Sequence, residues 1–141
     1  MPCRGWHGRE RGRLNFLSSS TVPCFEDNSL VKAAVESAGQ SRVLVVDGGG
    51  SLRRALLGGN LGAAAARNGW AGVLVDGCVR DLAELQPLPI GIRALALCPM
   101  PPDKRNEGER NVPVHVQGLW LRPDDWLYAD ADGSVVMAAP A

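Results

Sequence analysis

Residues 42–81 read RVLVVDGGGSLRRALLGGNLGAAAARNGWAGVLVDGCVRD, and this stretch decides the fold of the chain. It holds two apolar runs, residues 43–46 and 72–75, and each run ends in an aspartate followed by glycine. Continuous apolar runs of this length are typical of parallel strands that are buried on both faces. Since a helical, Ala-rich segment separates them, the stretch predicts a β-α-β unit whose polar strand ends lie on one side of a sheet.

Between the two predicted strands we expect two helices. Ser51 can cap a helix over residues 52–57, and a break at Gly58-Gly59-Asn60 separates it from a second helix over residues 61–68. The alanines of the second helix allow close packing. The strand at residues 72–75 is expected to close at Asp76-Gly77.

The remaining patterns predict helices and strands on both sides of this unit. They are a strand within residues 14–25, a helix over 29–37 with Asp27 or Asn28 as N-cap, a helix at Leu82–Leu85, a strand over 92–97, a hairpin over 112–121, and strands Trp126–Ala129 and Ser134–Met137 around a turn at 130–133. Strands and helices alternate in the first half, and hairpins fill the last third. The predicted class is α/β, a compact single domain with a mixed central sheet.

Composition narrows the class of protein. A chain of 141 residues fits one domain, and 45% hydrophobic residues support a core. The 15 basic residues balance the 15 acidic ones, so the totals indicate neither a nucleic-acid partner nor a membrane surface. No apolar run reaches the ~18–20 residues of a spanning helix, and the first residues lack a secretory apolar region. The four cysteines form no CxxC pair, which favours a reduced, cytoplasmic protein.

Two glycine-rich turns are candidate ligand sites. The triple glycine Gly48-Gly49-Gly50 suggests a nucleotide, but Arg53 stands where the pattern G-x-G-x-x-G needs its last glycine, which disfavours a methyltransferase. The turn Gly58-Gly59-Asn60-Leu61 precedes a helix, where free backbone N–H groups and the helix dipole favour an anion. A simple break between two helices explains the same glycines.

Arg80-Asp81 follows the second buried strand, on the side of an α/β sheet where ligands collect. The arginine offers a fixed fork to a carboxylate or enolate oxygen, and the aspartate is a hard oxygen ligand for Mg²⁺. An exposed ion pair that caps the next helix is an equally good interpretation of the spacing. With only His7 and His115 in the chain, no Ser/His/Asp or Cys/His nucleophile set is available.

Several segments of the chain resemble the RraA-like family, which contains the regulator of ribonuclease E activity A and the class II 4-hydroxy-4-methyl-2-oxoglutarate aldolases. The segments are CFEDNSLV (24–31), RVLVVDGGGSLRRALLGGNL (42–61), NGWAGVLVDGCVRD (68–81), NVPV (111–114) and DWLYADADGSVV (125–136). The resemblance implies a fold of the swivelling β/β/α type and a homotrimer with sites at subunit interfaces. It also implies that Gly58, Gly59, Asn60 and Leu61 bind the substrate carboxylate. Arg80 would contact the pyruvyl oxygen, and Asp81 would ligate Mg²⁺ or Mn²⁺.

The chain departs from the family pattern in two places. Aldolases of this class often carry an acid in the stretch that corresponds to Gly58-Gly59-Asn60, and none stands there in this chain. Residues 1–22 match poorly and predict a disordered N-terminus, so the family domain is expected over residues 23–141.

The resemblance leaves two functions open. The first is a divalent-metal-dependent lyase that cleaves 4-hydroxy-4-methyl-2-oxoglutarate, decarboxylates oxaloacetate and releases pyruvate from such small 2-oxo acids. The second is a regulator without chemistry of its own that binds and inhibits ribonuclease E, or binds a helicase, and the missing acid favours it. The presence of both Arg80 and Asp81 favours the enzyme.

Overall fold

The apolar runs of the sequence become the strands of a seven-stranded sheet and a separate hairpin in the computed structural model, which describes residues 15–106, 108–129 and 134–138. The strands are β1 Asn15–Pro23, β2 Val43–Asp47, β3 Ala55–Leu57, β4 Gly72–Val79, β5 Gly91–Leu97, β6 Val114–Val116, β7 Leu119–Leu121, β8 Trp126–Ala129 and β9 Ser134–Met137. The helices are α1 Ser29–Val35, α2 Gly59–Arg67 and α3 Leu82–Leu85.

Strand β4 lies at the centre of the parallel part of the sheet. Strand β5 pairs with β4 along its length, while β2 and β3 share its other edge. Strand β2 pairs with the first half of β4, from Gly72 to Val75, and β3 pairs with Cys78 and Val79 at its end. Strands β1, β8 and β9 extend the sheet beyond β2, and β8 and β9 run antiparallel. The predicted mixed α/β sheet is therefore confirmed.

The sheet is covered by helices on one face and by the β6–β7 hairpin on the other. The helix-side core is the larger, with Leu44, Val46, Leu57 and Val73 completely buried in it. The hairpin-side core joins Val43 and Val45 to apolar residues of β6, β7 and β8. Alternate residues of β2 thus enter opposite cores, as the period of a strand requires. The order of layers is β/β/α, the arrangement that the resemblance implies.

Two predictions inside the central unit are wrong. Residues 52–57 are not a helix, because Ala55–Leu57 form β3 and pair with the end of β4. The strand expected to close at Asp76 runs on to Val79, and its register shifts between Val75 and Cys78, so Asp76 lies inside a strand rather than at its end.

Most other elements appear close to their predicted positions, including α3, β5 and the hairpin. The first helix ends at Val35, and Asp27 accepts a hydrogen bond from the Ser29 N–H at 2.9 Å beside the N-cap Asn28. The turn 130–133 and residues 1–13 lie outside the described residues. The boundary after residue 22 stays a prediction, and strand β1 crosses it.

Within those described ranges, every helix is too short or too polar to span a membrane.

Candidate functional site

The two predicted site segments meet because β3 and β4 end side by side. Leu57 pairs with Val79, and the backbone N–H of Arg80 donates to the carbonyl of Leu57 at 2.9 Å. The residues that follow each strand are therefore neighbours at the carboxyl edge of the sheet. Gly58-Gly59 after β3 faces Arg80-Asp81 after β4, at the edge where α/β sheets bind ligands.

Asp81 is held in an uncommon backbone conformation. Its φ of 60° and ψ of 47° place it in the left-handed region, which aspartate tolerates better than most residues. The conformation turns the chain into α3 and directs the Asp81 carboxylate at α2, where Oδ2 accepts the Gly59 N–H at 2.9 Å. A carboxylate at this end of α2 is stabilised by the helix dipole.

Arg80 and Asp81 form an ion pair that leaves both side chains accessible. Arg80 Nε lies 3.8 Å from Asp81 Oδ2, and the two side chains are 41% and 39% exposed. An exposed pair of this kind contributes little to folding, about 0–1 kcal/mol. The exposed ion pair of the alternative interpretation is present, and Asp81 is the N-cap residue of α3. Its carboxylate makes no capping bond to α3, however, and instead accepts the Gly59 N–H at the start of α2.

Both glycines of the turn are surrounded by charged atoms. A Cβ on Gly58 would lie 2.8 Å from Asp81 Oδ2 and 3.1 Å from Arg80 Nε. A Cβ on Gly59 would overlap Glu84 Oε2. The turn is thus a cradle of two carboxylates and a guanidinium that any side chain at either glycine would fill.

Glu84 is the residue that sequence reasoning missed. It lies on α3, three residues after Asp81, and its carboxylate reaches back over the first residue of α2. The available signal was the spacing, since residues three apart share a helix face. That signal was unusable without knowing that α3 packs against α2.

Asn60 and Leu61 contribute backbone groups rather than side chains. Asn60 is exposed, and the half-buried Leu61 packs against the helix-side core. The first intrahelical bond runs from the Gly62 N–H to the Gly58 carbonyl at 2.9 Å. The N–H groups of Asn60 and Leu61 precede it and so have no acceptor within the helix. They are free to meet a ligand carboxylate.

Asp47 and Asp76 are engaged elsewhere. Asp47 accepts the N–H of Gly49 at 3.0 Å, and the buried Asp76 accepts Gln117 Nε2 at 2.6 Å. Gln117 lies between β6 and β7, so Asp76 fastens the hairpin to the sheet.

Two buried cysteines, Cys24 and Cys78, have thiols with raised pKa values. Burial, helped by Asp27 and Asp47, raises the pKa of the Cys24 thiol to about 12. Burial also raises the pKa of Cys78, with a contribution from Cys98. Because the thiolate is the nucleophile, burial makes these two thiols poor nucleophiles at neutral pH.

The donor atoms of the cradle fit a divalent cation. Among the described residues no three His, Cys, Asp or Glu side chains cluster. Mg²⁺ needs only one or two protein carboxylates, because it retains several waters. Asp81 and Glu84 supply two hard oxygen donors at an open position.

Fold and site together define an α/β domain in which a helix N-terminus, one arginine and two carboxylates lie together at the carboxyl edge of the sheet. The chain belongs to the RraA-like family, since the family model described as RraA-like, Aldolase/RraA, matches residues 18–136.

Named relatives extend this result. A protein of Albidiferax ferrireducens, provisionally named 4-hydroxy-4-methyl-2-oxoglutarate aldolase, is 65% identical over 84% of this chain and 73% of its own length. A Cupriavidus necator protein with the same provisional name is 58% identical over 84% of this chain and 72% of its own. The solved structure of the RNA-processing inhibitor RraA from Thermus thermophilis superposes with a TM-score of 0.87 at 47% identity, covering 92% of this chain and 80% of that one.

Proposed function

We propose that this protein is a carbon–carbon lyase, a divalent-metal-dependent 4-hydroxy-4-methyl-2-oxoglutarate aldolase that also decarboxylates oxaloacetate. The observation that carries the proposal is the meeting of Gly58-Gly59 with Arg80-Asp81 at the ends of β3 and β4. The relatives named above as aldolases support the reaction class.

The substrate carboxylate is anchored by α2 in this proposal. The N–H groups of Asn60 and Leu61 lack acceptors within the helix, and the dipole of α2 favours an anion at this end. The glycines before them carry no side chain that would block the approach. Binding the remote carboxylate here orients the reacting carbons toward Arg80.

Arg80 is assigned to the oxygen on which charge develops. When the carbon–carbon bond breaks, its electron pair becomes the enolate of pyruvate. In aldol cleavage the 4-hydroxyl group gives up its proton to solvent and becomes the keto group of a second pyruvate, and in decarboxylation the carboxylate leaves as CO₂. The guanidinium donates hydrogen bonds to the enolate oxygen, and such preplaced donors are usually the largest catalytic effect. Protonation of the enolate carbon then gives pyruvate.

Asp81 is assigned to the metal, Mg²⁺ or Mn²⁺. A bound divalent cation supplies Lewis acidity that polarises the keto oxygen. The Gly59 N–H fixes Asp81 Oδ2, so the orientation of the carboxylate is set before the ion binds.

Pyruvate release tests this function. Each substrate is supplied with Mg²⁺ or Mn²⁺, and pyruvate is followed by its reduction with lactate dehydrogenase. We expect turnover that stops on chelation and falls about 100- to 1,000-fold in Arg80→Ala, the usual cost of one such donor. Arg67→Ala is the matched control, because it also removes a guanidinium but lies at the far end of α2. It should keep the full rate. Absence of turnover in the wild type, or full turnover in Arg80→Ala, contradicts the proposal.

A second function is inhibition of ribonuclease E, and the similarity to a structure described as an RNA-processing inhibitor supports it. In the sequence, the absence of an acid from the Gly58-Gly59-Asn60 turn favours this second function. That argument is weaker in the structure, because the Glu84 carboxylate lies over Gly59. Cleavage of an RNA substrate by ribonuclease E, with and without equimolar protein, tests this function. An unchanged cleavage rate and no co-purifying helicase would exclude it.

We also propose that the protein is a cytoplasmic homotrimer. Large apolar side chains are exposed on β5, β7 and β9, as at surfaces that bind partners; they are Leu95, Leu97, Leu119, Trp120, Val135 and Met137. Cys24, Cys78 and Cys98 are free thiols, as expected in a reducing compartment. Light scattering during gel filtration should give three times the chain mass, and a monomer would contradict the trimer.

A further inference from the structure

The hairpin-side core contains a cavity that opens at its edge. The cavity has a volume of about 470 Å³, within the range of roughly 300–1,000 Å³ that small-molecule sites occupy. It lies between strands β4 and β5 on one side and the β6–β7 hairpin with β8 and β9 on the other, and neither Gly58-Gly59 nor Arg80-Asp81 lines it. We propose that this cavity binds a free apolar α-amino acid.

The floor of the cavity is buried and apolar. Val116, Leu121 and Leu127 line it, and all three belong to the hairpin-side core. The rim is accessible, since Leu95 and Leu119 are exposed. Protein cores are close-packed, so an apolar floor that stays open to solvent offers a place for an apolar group. An aliphatic or aromatic side chain of the ligand would cover it.

A buried carboxylate on the wall of the cavity indicates a cationic group in the ligand. Asp76 lines the cavity and is only 5% exposed. Its Oδ1 accepts a hydrogen bond from Gln117 Nε2 at 2.6 Å, whereas its Oδ2 has no hydrogen-bond partner within the described residues. A buried carboxylate oxygen is costly without a partner, and an ammonium group is the donor that matches its charge.

Arg93 supplies the opposite charge on the neighbouring strand. It pairs in register with Leu74, two residues before Asp76, and its side chain donates from Nη1 to Ser134 Oγ at 2.7 Å across the cavity. With five N–H groups, a guanidinium can donate to more than one partner, and it binds carboxylates well. One negative and one positive group beside an apolar floor match a zwitterion with one apolar side chain, which is the chemistry of leucine or phenylalanine.

Binding of L-phenylalanine to the full chain, followed by calorimetry and NMR titration, tests the proposal independently of the lyase function. Three analogues each lack one feature: hydrocinnamate has no ammonium group, L-phenylalaninamide has no carboxylate, and glycine has no apolar side chain. The variants are Asp76→Asn, which keeps an oxygen to accept the Gln117 amide, and Arg93→Gln. Asp47→Asn is the matched control, because it changes an aspartate of the neighbouring strand β2 that does not line the cavity.

We expect one phenylalanine per chain, with Kd below about 1 mM, as a ligand of about a dozen heavy atoms can reach. Asp76→Asn should raise this Kd about 10- to 100-fold, because the ammonium group loses a charged partner, and Arg93→Gln should do the same through the carboxylate. Each analogue should bind the wild type about tenfold more weakly than phenylalanine, or worse. Asp47→Asn should leave Kd unchanged.

A crossed comparison separates recognition of the ligand from an effect on the fold. Asp76→Asn should not weaken hydrocinnamate binding further, because that analogue has no ammonium group, and equal losses for hydrocinnamate and phenylalanine would overturn the proposal. Should Asp76→Asn fail to fold, as thermal unfolding would show, Arg93→Gln decides, and an unchanged Kd there overturns the proposal. Equal affinity for phenylalaninamide would indicate a peptide N-terminus instead of a free amino acid. No binding by the wild type, as expected if a second copy of the chain covers the cavity, would also overturn it.

Discussion

The glycine turns after the parallel strands β2 and β3 differ in what surrounds them. At the first, after β2, a Cβ on Gly48 would lie 2.5 Å from Leu56 Cδ1 and 2.7 Å from the backbone oxygen of Asp76. At the second, after β3, a Cβ on Gly58 or Gly59 would meet carboxylate and guanidinium atoms. The first turn needs glycine so that the core can close, and the second so that charged groups can converge.

This difference teaches that the number of glycines is a poor guide to a ligand site. The triple glycine is the stronger motif in the sequence, yet Phe25 and Leu56 pack over it. The weaker double glycine lies at the start of a nine-residue helix beside accessible charges. The residues that surround a glycine turn in the structure therefore indicate a ligand site better than the glycines themselves.

The largest expected effect separates the aspartates of the two turns. Asp81 accepts the Gly59 N–H and Asp47 accepts the Gly49 N–H, so the two carboxylates have matching backbone contacts. Asp81→Asn should lower kcat/KM at least 100-fold, because the amide still caps α2 but is a poor ligand for a hard ion. Asp47→Asn should stay within about twofold of wild type, on the same pyruvate-release scale. Equal losses of kcat/KM in Asp81→Asn and Asp47→Asn would show that the two turns do not differ in function.

A side chain at Gly48 should damage the fold and spare the chemistry. Its Cβ meets backbone as well as Leu56, and overpacking of this kind costs about 1–3 kcal/mol. Urea unfolding of Gly48→Ala should show this loss, while kcat per folded molecule is unchanged. A fully stable Gly48→Ala with impaired turnover would move the site to the first turn.

At Gly59 we expect the opposite result, with the stability of the fold kept and the site impaired. The atom in the way is the far end of the exposed Glu84, which can move aside, and alanine is a better helix residue than glycine by about 1 kcal/mol. Gly59→Ala should therefore unfold within about 1 kcal/mol of wild type and release pyruvate more slowly, because its methyl group enters the cradle. An unaltered rate of pyruvate release would show that the space above Gly59 is not used in the reaction.

Acid should destabilise the region around the buried Asp27 by a smaller amount. Burial works to raise the pKa of Asp27, but hydrogen bonds from Ser29 and Arg105 together outweigh it and hold that pKa below its usual range. A lowered folded pKa means that the unfolded chain binds the proton more readily. The stability is present above the unfolded pKa, near 4, and is lost as pH falls through the folded value.

The free energy of unfolding should drop between pH 6 and pH 3 by an amount on the order of 1 kcal/mol from this carboxylate. Asp27→Asn should flatten that part of the pH profile when urea midpoints are compared. A profile identical to that of the wild type would show that Asp27 is not the titrating group.

The sequence predicts the parts of this structure that depend on local pattern. Buried strands such as β2 and β5 follow from continuous apolar runs, and the hairpin of β6 and β7 follows from alternation around a glycine. Arg80 and Asp81 could be selected because they follow such a run.

Features that depend on contacts between distant parts of the chain could not be predicted from local sequence pattern. Strand β3 has only three residues and exists because it pairs with the last part of β4, so Ser51 and the apolar residues after it looked like a capped helix. Strand β4 passes through Asp76 because its register shifts there. Glu84 reaches Gly59 across 25 residues of sequence through helix packing.

A crystal structure with Mn²⁺ and pyruvate tests the central claim most directly. The account predicts an anomalous manganese peak at ligand distance, about 2.0–2.2 Å, from Asp81, with pyruvate between that ion and Arg80. It also predicts no peak at the turn after β2. Manganese or pyruvate ordered at Gly48–Gly50, or neither of them bound beside Asp81, would contradict it.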